Sequence, residues 1–235
     1  MIDDFTNPQF RPSTLDCYLV RSRILQAVET KKHFLHGRLL DVGCGRMPYR
    51  DLLLKPMGFA DSYLGLDLAV DSLYSKHAKA DITWDGKKIP LDDASIDNAM
   101  ATELLEHCPD PLAVMREIRR VLRSGGSFFF TVPFLWPLHD VPCDHYRYTP
   151  FALENLLRKA GFRDIQIQGL GGWDGALSEM IGLWVRRRPM PSILRSICSL
   201  VAFPICVMLA NEDKLPTSFG EGQMITGLAG LCRKA

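Results

Sequence analysis

The sequence predicts an α/β domain built on a mostly parallel central sheet with helices on both faces. Short apolar runs bounded by glycine alternate with segments of helical periodicity, which is typical of strand–helix–strand units. The turn Gly43-Cys44-Gly45 follows the first apolar run, where a buried strand is expected to lead into a helix. The 235 residues, 47% of them hydrophobic, are enough for one domain with a sizeable core.

The first half of the chain contains the elements around this turn. Residues 1–12 are expected to form an extended arm, and Ser13-x-x-Asp16 resembles a capping box, a side-chain arrangement that satisfies free amides at a helix start. The predicted elements are a helix to residue 30, strands over 39–42, 63–66 and 96–102, and a short helix over 49–55 that ends before Pro56.

The second half has two helices with clear boundaries. Asp110 followed by Pro111 favours a helix start, and Gly125 with Gly126 is expected to end that helix. Three consecutive phenylalanines indicate a strand over 127–132. The remaining predictions are a helix from Thr149-Pro150 to Gly161 and strands over 165–170 and 223–231. We therefore divide one domain into an N-terminal arm and helix (1–36), a ligand-binding core (37–170) and an apolar helical segment with the final strand (171–235).

Composition excludes several classes of function. Lys and Arg number 28 against 27 Asp and Glu, so no overall field favours a nucleic-acid partner. The 7 cysteines are scattered without a CxxC pair, which predicts neither a disulfide framework nor a metal site. The N-terminus is acidic and lacks the apolar stretch of a secretory signal, so we expect a cytoplasmic protein.

The acids around the glycine turn indicate the kind of ligand. Asp67 ends the next predicted strand, where a carboxylate can accept the two ribose hydroxyls of a nucleoside. Pro48 stands where a dinucleotide fold needs its third glycine, which disfavours a nucleotide-dependent oxidoreductase. Asp41 precedes Gly43 by two residues and suits a ligand with a cationic amino group. These features together favour S-adenosylmethionine as the cofactor.

Five ordered motifs carry a resemblance to a known family. The chain resembles the class I S-adenosylmethionine-dependent methyltransferases of the type-11 domain group, from Leu39 to about Phe162, and the resemblance implies their Rossmann-like fold. The similar segments are Leu40-Asp41-Val42-Gly43-Cys44-Gly45, Leu64-Gly65-Leu66-Asp67, Ala80-Asp81-Ile82, residues 95–111 with Glu103-Leu104-Leu105-Glu106-His107, and Val121-Leu122-Arg123-Ser124-Gly125-Gly126.

The resemblance also implies a role for each matching residue. Gly43 and Gly45 would lie under the methionine part of the cofactor, with Asp41 near its ammonium and Asp67 on its ribose. The adenine would contact Asp81 and Ile82, and the loop beneath the sulfonium would contain Glu103 and His107. Met47 departs from the pattern because many members have glycine there, and we expect its side chain to narrow the site near the methionine tail.

The segment after the phenylalanine strand contains the candidate catalytic residues. Methyltransferases acting on small or saccharide-like molecules carry a similar pattern, His-x-x-Pro-x-Asp-x-x-Arg-Tyr-Thr, at residues 139–149. An oxygen or nitrogen acceptor must lose a proton, and histidine is the natural base near neutral pH. His139 and His145 are the candidates, with Asp144 to orient one of them. The predicted function is methyl transfer to an oxygen or nitrogen of a small molecule, such as a sugar or a lipid-linked intermediate.

One alternative function and one apolar segment stay open. A non-catalytic module that only binds S-adenosylmethionine would keep the same first motif. Residues 196–210 carry no charge, but 15 residues are too few to span a bilayer. This segment could cover the core, form a homodimer face or lie on a membrane, and we expect it to be a largely buried helix.

Overall fold

The computed structural model describes residues 4–68 and 80–235. The strands are β1 (Gly37–Val42), β2 (Ala60–Leu68), β3 (Ile82–Trp84), β4 (Ile96–Thr102), β5 (Leu122–Pro133), β6 (Phe162–Gly169) and β7 (Gly227–Lys234). The α-helices are α1 (Tyr18–Lys31), α2 (Arg50–Leu53), α3 (Pro111–Val121), α4 (Pro150–Ala160), α5 (Trp173–Arg187) and α6 (Ser192–Glu212).

The strands form a seven-stranded sheet in the order β3-β2-β1-β4-β5-β7-β6. Strands β1 to β5 pair in parallel, whereas β7 lies antiparallel between β5 and β6. The predicted fold class, a mostly parallel α/β sheet, is confirmed. Because neighbouring parallel strands end at the same edge, the segments that follow β1, β2, β4 and β5 are brought together there.

Two apolar clusters cover the two faces of the sheet. Consecutive side chains on a strand point to opposite faces, and the phenylalanines of β5 illustrate this alternation. Phe128 and Phe130 pack in a cluster with α3 and α4, whereas Phe129 packs with α1 and α2. All three rings are almost completely buried. The predicted placement of helices on both faces is therefore confirmed.

The first helix begins later than the sequence predicts. The proposed capping box at Ser13 and Asp16 is absent, because residues 12–14 form a separate 3₁₀ turn and α1 starts only at Tyr18. The Asp16 carboxylate instead accepts a hydrogen bond from Arg187 at the end of α5. A tertiary ion pair has replaced the local cap.

The boundary between α3 and β5 also differs from the prediction. Helix α3 ends at Val121 and β5 begins at once with Leu122, so Gly125 and Gly126 lie within the strand and do not end the helix. Gly125 has a φ of 78°, and the pairing of β4 with β5 shifts register between Ile96 and Asn98. These glycines accommodate an irregularity in the strand.

Helix α6 corrects the expectation for residues 196–210. The segment is helical, but the helix has 21 residues and most of its apolar side chains are exposed. It is the one helix in the described part of the chain that is long and apolar enough to cross a membrane, by length and composition only. Arg195 does not interrupt it, because its guanidinium turns to the carbonyls of Arg188 and Met190. Only the small-residue face, with Ser199, Ala202 and Cys206, is buried.

Candidate active site

The turn after β1 leaves room for a ligand. Gly43 and Gly45 have φ angles of 72° and 50°, a left-handed conformation that glycine adopts without strain. A side chain at Gly43 would meet Leu104 at 2.6 Å, whereas a Cβ on Gly45 would have no atom within 4 Å. The amide of Gly45 donates to Asp67 Oδ2 at 2.9 Å. The Asp67 carboxylate, at the end of β2, thus stabilises the conformation of the turn through this hydrogen bond.

Asp41 is a buried acid beside this turn. Its carboxyl accepts a hydrogen bond from the Tyr63 hydroxyl, and its Oδ1 atom has no partner in the part of the chain that is described. Burial raises the pKa of Asp41 to about 7, and the charge of Asp67 adds to the increase. An uncompensated buried carboxyl of this kind suits a cationic group from a ligand.

Met47 lies in the turn with its side chain against β2, and the expected narrowing of the site stays a prediction. Its φ of 52° is left-handed, and its thioether packs against Gly65, where an added Cβ would lie 2.6 Å from the sulfur. The side chain contacts the cluster that contains α1 and α2. The bulk of Met47 therefore fills the space between the turn and β2.

Asp81 and Ile82 lie at the amino end of β3. The Asp81 carboxylate accepts from the amide of Gly65 at 2.9 Å and is 3.4 Å from the Arg50 guanidinium. Asp85, which sequence reasoning missed, is the acid that follows the carboxyl end of β3. Strand β3 has only three residues, too few to show a periodicity from which its end could be predicted. The only sequence signal for Asp85 is its place directly after Trp84 and shortly before Ile89-Pro90. The adenine contact of Asp81 and Ile82 stays a prediction, and Asp85 is a second candidate.

The segment after β4 contains two acids with raised pKa values. Glu103 follows the last residue of the strand with a φ of 51°, and burial raises its pKa to about 7. Glu106 is fully buried and neither of its carboxyl oxygens has a hydrogen-bond partner among the described residues. Burial, together with the charge of Glu103, holds the pKa of Glu106 well above its usual range. Burial therefore favours the neutral form of the Glu106 carboxyl group.

Two histidines meet beside Glu106. His107 Nδ1 is 3.0 Å from the Cys143 carbonyl oxygen, a distance at which the ring donates and leaves Nε2 with a lone pair. His107 and His139 contact edge to face, with ring centroids 4.7 Å apart. Burial lowers the pKa of His107, so this imidazole is neutral at pH 7. The structure thus joins the loop after β4 to the loop after β5.

Asp144 organises the loop after β5. Its carboxylate accepts two hydrogen bonds from the Arg147 guanidinium, at 2.6 and 2.8 Å, and one from the His139 amide at 3.2 Å. The Arg147 contact holds the pKa of Asp144 well below its usual range. His139 Nδ1 lies 3.3 Å from Asp144 Oδ2, close enough for electrostatic contact, although this nitrogen has no hydrogen-bond partner among the described residues. His145 is separate: its side chain is exposed, and only its amide reaches this region, donating to the Glu106 carbonyl.

Glu106, His107 and His139 also present ligand atoms within 4.8 Å of one another. Imidazole nitrogens and a carboxylate are ligands that zinc and other divalent metals use. The sequence predicts no metal site, because the contributing residues come from two segments that only the fold brings together.

A shallow cleft, whose enclosed space is only about 10 Å³, lies next to Glu103. Its walls include Val132, Trp136, Leu170 and Thr226. Glu179 of α5, which the sequence analysis missed, is buried near this cleft, and burial together with the charge of Glu103 raises its pKa to about 9. The cleft is thus mainly apolar, with Glu103 and Arg23 as its charged lining residues.

Comparisons with known proteins agree with this arrangement. A family model described as "Methyltransferase domain" matches residues 40–130. The chain is 22% identical over 194 residues to a demethylmenaquinone methyltransferase of Staphylococcus carnosus, spanning 67% of this chain and 79% of that one. It is 28% identical over 140 residues to a ubiquinone biosynthesis O-methyltransferase of Actinobacillus pleuropneumoniae, spanning 53% of this chain and just over half, 56%, of the relative.

A solved structure shows the same fold over nearly the whole chain. A methyltransferase of Thermotoga maritima, described as a possible histamine N-methyltransferase, superposes with a TM-score of 0.56 at 15% identity and covers 96% of this chain and 90% of its own. The matched family segment includes the glycine turn, Asp67 and Glu103. The chain belongs to the class I S-adenosylmethionine-dependent methyltransferases. In this methyltransferase, S-adenosylmethionine is the cofactor, and the open space at Gly45 and the unpartnered Oδ1 of Asp41 fit it.

Cofactor binding to the methyltransferase should release a proton below pH 7. Asp41 has a pKa of about 7 without the cofactor, and a nearby ammonium would favour its ionised form. We expect affinity to rise between about pH 5 and 7 and to level off above, with a release on the order of one proton near pH 6. Calorimetry in two buffers of different ionisation enthalpy measures this release.

The variant Asp41→Asn shows whether the released proton comes from Asp41 or from another titratable group. Glu103 also has a pKa of about 7 and could contribute to the release. Proton release that is unchanged in Asp41→Asn would assign the effect to Glu103 and contradict the role given to Asp41.

Proposed function

We propose that this methyltransferase transfers a methyl group to an oxygen or nitrogen of a small acceptor that binds beside the loop of residues 133–149. The observation that carries the proposal is the meeting of His139 with Asp144 at the carboxyl edge of the sheet, in the loop that follows β5. Ligands bind at this edge in open α/β sheets. Its relatives named for ubiquinone and demethylmenaquinone chemistry also support a small-molecule acceptor.

The residues of the chain have distinct tasks in this reaction. When bound, S-adenosylmethionine supplies an activated methyl group on its sulfonium. Asp41, Gly43, Gly45 and Asp67 bind and orient the cofactor, so that much of the rate comes from positioning. Glu103 presents a carboxyl group on the side where the sulfonium charge is expected, since it directly follows β4.

His139 removes the proton from the acceptor. Its Nδ1 faces the ionised Asp144, which favours the tautomer with the proton on Nδ1 and a free lone pair on Nε2. Nε2 is then the atom that takes the proton from the acceptor hydroxyl or amine. Trp136 of the same loop lines the apolar cleft and helps to exclude water.

Other parts of the chain define its partners. The balanced charge gives no support to a nucleic-acid acceptor. Helix α6, which contains residues 196–210, provides an exposed apolar surface for a membrane or for a second copy of the chain. A module that binds the cofactor without turnover is the alternative, and it would not need the contact between His139 and Asp144.

Methyl-labelled cofactor tests the function in cell extract, where the label itself marks whichever molecule accepts the methyl group. We expect the protein to move label into the small-molecule or lipid fraction of the extract, and Asp67→Ala to move much less. Cofactor binding measured by calorimetry with no label transfer into any fraction would favour the non-catalytic module. Label incorporated only into nucleic acid would contradict the proposed acceptor class.

A further inference from the structure

Helix α5 has one face toward the site and one toward solvent. On the inner side Glu179 is buried within the field of Glu103. On the outer side four large apolar residues follow one another at spacings of three or four, which forms a stripe along the helix. These residues are Trp173, Leu177, Met180 and Trp184, and each is about half exposed or more.

Helix α6 widens this stripe into a surface. The two helices run antiparallel, since Ser178 bonds to the Cys206 carbonyl while Asp213, beyond α6, accepts from Gly172 and Gly175 at the start of α5. Helix α6 adds a row of exposed apolar side chains, namely Ile193, Ile197, Leu200, Val201, Ile205 and Met208. We call these two rows the α5–α6 face. Exposed apolar surfaces on adjacent helices often mark interaction sites.

The charges at one end of the α5–α6 face, where the two helices connect, are positive, whereas Asp174 and Glu212 lie at the other end. Arg186, Arg187, Arg188 and Arg195 lie around the connection of the two helices, and among the described residues only Arg187 pairs with a carboxylate. Helix α6 has no acidic residue before Glu212. The Arg188 guanidinium lies 4.1 Å from the ring centroid of Trp184. Apolar rows with tryptophan and arginine at their border fit the headgroup region of an anionic bilayer.

The same face lies close to the acceptor cleft. Glu179 of α5 lies within the electrostatic field of Glu103, and Glu103 lines the cleft. Trp136, which lines the cleft, has the Arg187 guanidinium 5.7 Å from its ring centroid. A bilayer on the α5–α6 face would therefore meet the protein beside the entrance to the cleft.

We propose that the α5–α6 face binds an anionic lipid bilayer in the plane of its headgroups, and that the acceptor is an amphiphile drawn from that bilayer. The second part rests on the proposed methyl transfer. The α5–α6 face would favour acceptors that reside in the bilayer, because an apolar molecule held there reaches the cleft without passing through water. The inward packing of Ser199, Ala202 and Cys206 keeps α6 on the protein body, so it lies on the membrane and does not span it.

Vesicle sedimentation tests the binding. We expect the full-length protein to bind vesicles of 70% phosphatidylcholine and 30% phosphatidylglycerol, and to bind pure phosphatidylcholine at least tenfold less. The double variant Ile197→Asp/Val201→Asp should lose at least tenfold in affinity. Phe151→Asp is the matched control, because Phe151 is equally exposed but lies on α4. Unchanged binding of the double variant would overturn the proposal.

Three further measurements keep the test decisive if the double variant is unstable. Arg188→Glu, an exposed change, should weaken binding to anionic vesicles about fivefold or more. The tryptophan emission of the wild type should shift to shorter wavelength on binding, and Trp184→Phe should reduce that shift. Protein that resists an alkaline carbonate wash would overturn the in-plane arrangement.

Size-exclusion chromatography with light scattering tests whether a second copy of the chain, instead of a bilayer, binds to the α5–α6 face. A wild-type dimer that the double variant dissociates, together with no vesicle binding, would show that the face binds a second copy and would overturn the proposal. Vesicle binding without label transfer would contradict only the proposed function. Methyl transfer to a water-soluble acceptor without vesicle binding would contradict only this inference.

Discussion

His139→Ala should lower the turnover of the methyltransferase by about 10²–10⁴-fold, the usual contribution of a general base. The affinity for S-adenosylmethionine should stay within about threefold, because His139 lies in the loop after β5 and outside the glycine turn. Turnover is measured from label transfer once an acceptor fraction is found, and affinity by calorimetry. Activity within about threefold of wild type would reject the role of base.

Three controls make this result specific. His139→Gln keeps a polar side chain but cannot accept the proton, so it should be nearly as slow as the alanine variant. His145→Ala should be nearly as active as wild type, because the His145 side chain is exposed and lies outside the cluster of Glu106, His107 and His139. The exposed His36, far along the chain, provides a matched alanine control.

Treatment with a chelator distinguishes whether His139 acts as a general base or as a metal ligand. An imidazole base works without metal, so dialysis against EDTA should leave the wild-type rate unchanged. Loss of activity in EDTA, restored by a divalent cation, would show instead that Glu106, His107 and His139 hold an ion.

Asp67→Ala should weaken cofactor binding by about 1.5–3 kcal/mol, which is roughly 10- to 150-fold in Kd. Two effects add: the ribose would lose charge-assisted hydrogen bonds, and the amide of Gly45 would lose the acceptor that holds the turn. Calorimetric titration of wild type and variant measures the difference. Equal affinities would contradict the assignment of Asp67 to the cofactor.

Other acids of the same region provide the comparison. Asp61→Ala changes the same strand at its opposite end, where Asp61 pairs with the exposed Lys55, and this variant should leave the Kd for the cofactor unchanged. Asp81→Ala and Asp85→Ala show which acid contacts the adenine. A larger loss for Asp85 would follow from its position beyond the carboxyl end of β3.

The sequence predicted the parts of the fold that depend on local chemistry. Asp110 caps α3 by accepting from the amide of Ala113, and Thr149 caps α4 in the same way. Gly161 ends α4 with a φ of 94°, as its position indicates. The glycine turn and Asp67 also occupy the places that the alternation of strands predicted. For the caps and the helix end, neighbouring residues alone determine the conformation.

The remaining features arise from tertiary contacts that spacing does not show. The pairing of Asp16 with Arg187 displaced the predicted cap of the first helix. The apolar composition of residues 196–210 could not indicate which side of α6 would pack against α5. The expectation that this segment is largely buried was therefore wrong. Glu179 is separated in sequence from every motif, and only the packing of α5 brings it near Glu103. The cluster of Glu106 with His139 likewise depends on two loops meeting.

The position of β7 has a consequence for how this protein can change over evolutionary time. Strands β6 and β7 are neighbours in the sheet, and both α5 and α6 lie in the excursion that connects them. Insertions within such a connection leave the paired strands in place, since loops tolerate changes of length at small entropic cost. The two helices can therefore be remodelled while the cofactor half of the molecule stays the same, and under the proposed membrane binding this would alter the source of acceptors. Helices α5 and α6 thus lie in a different part of the sequence from the residues assigned to the cofactor.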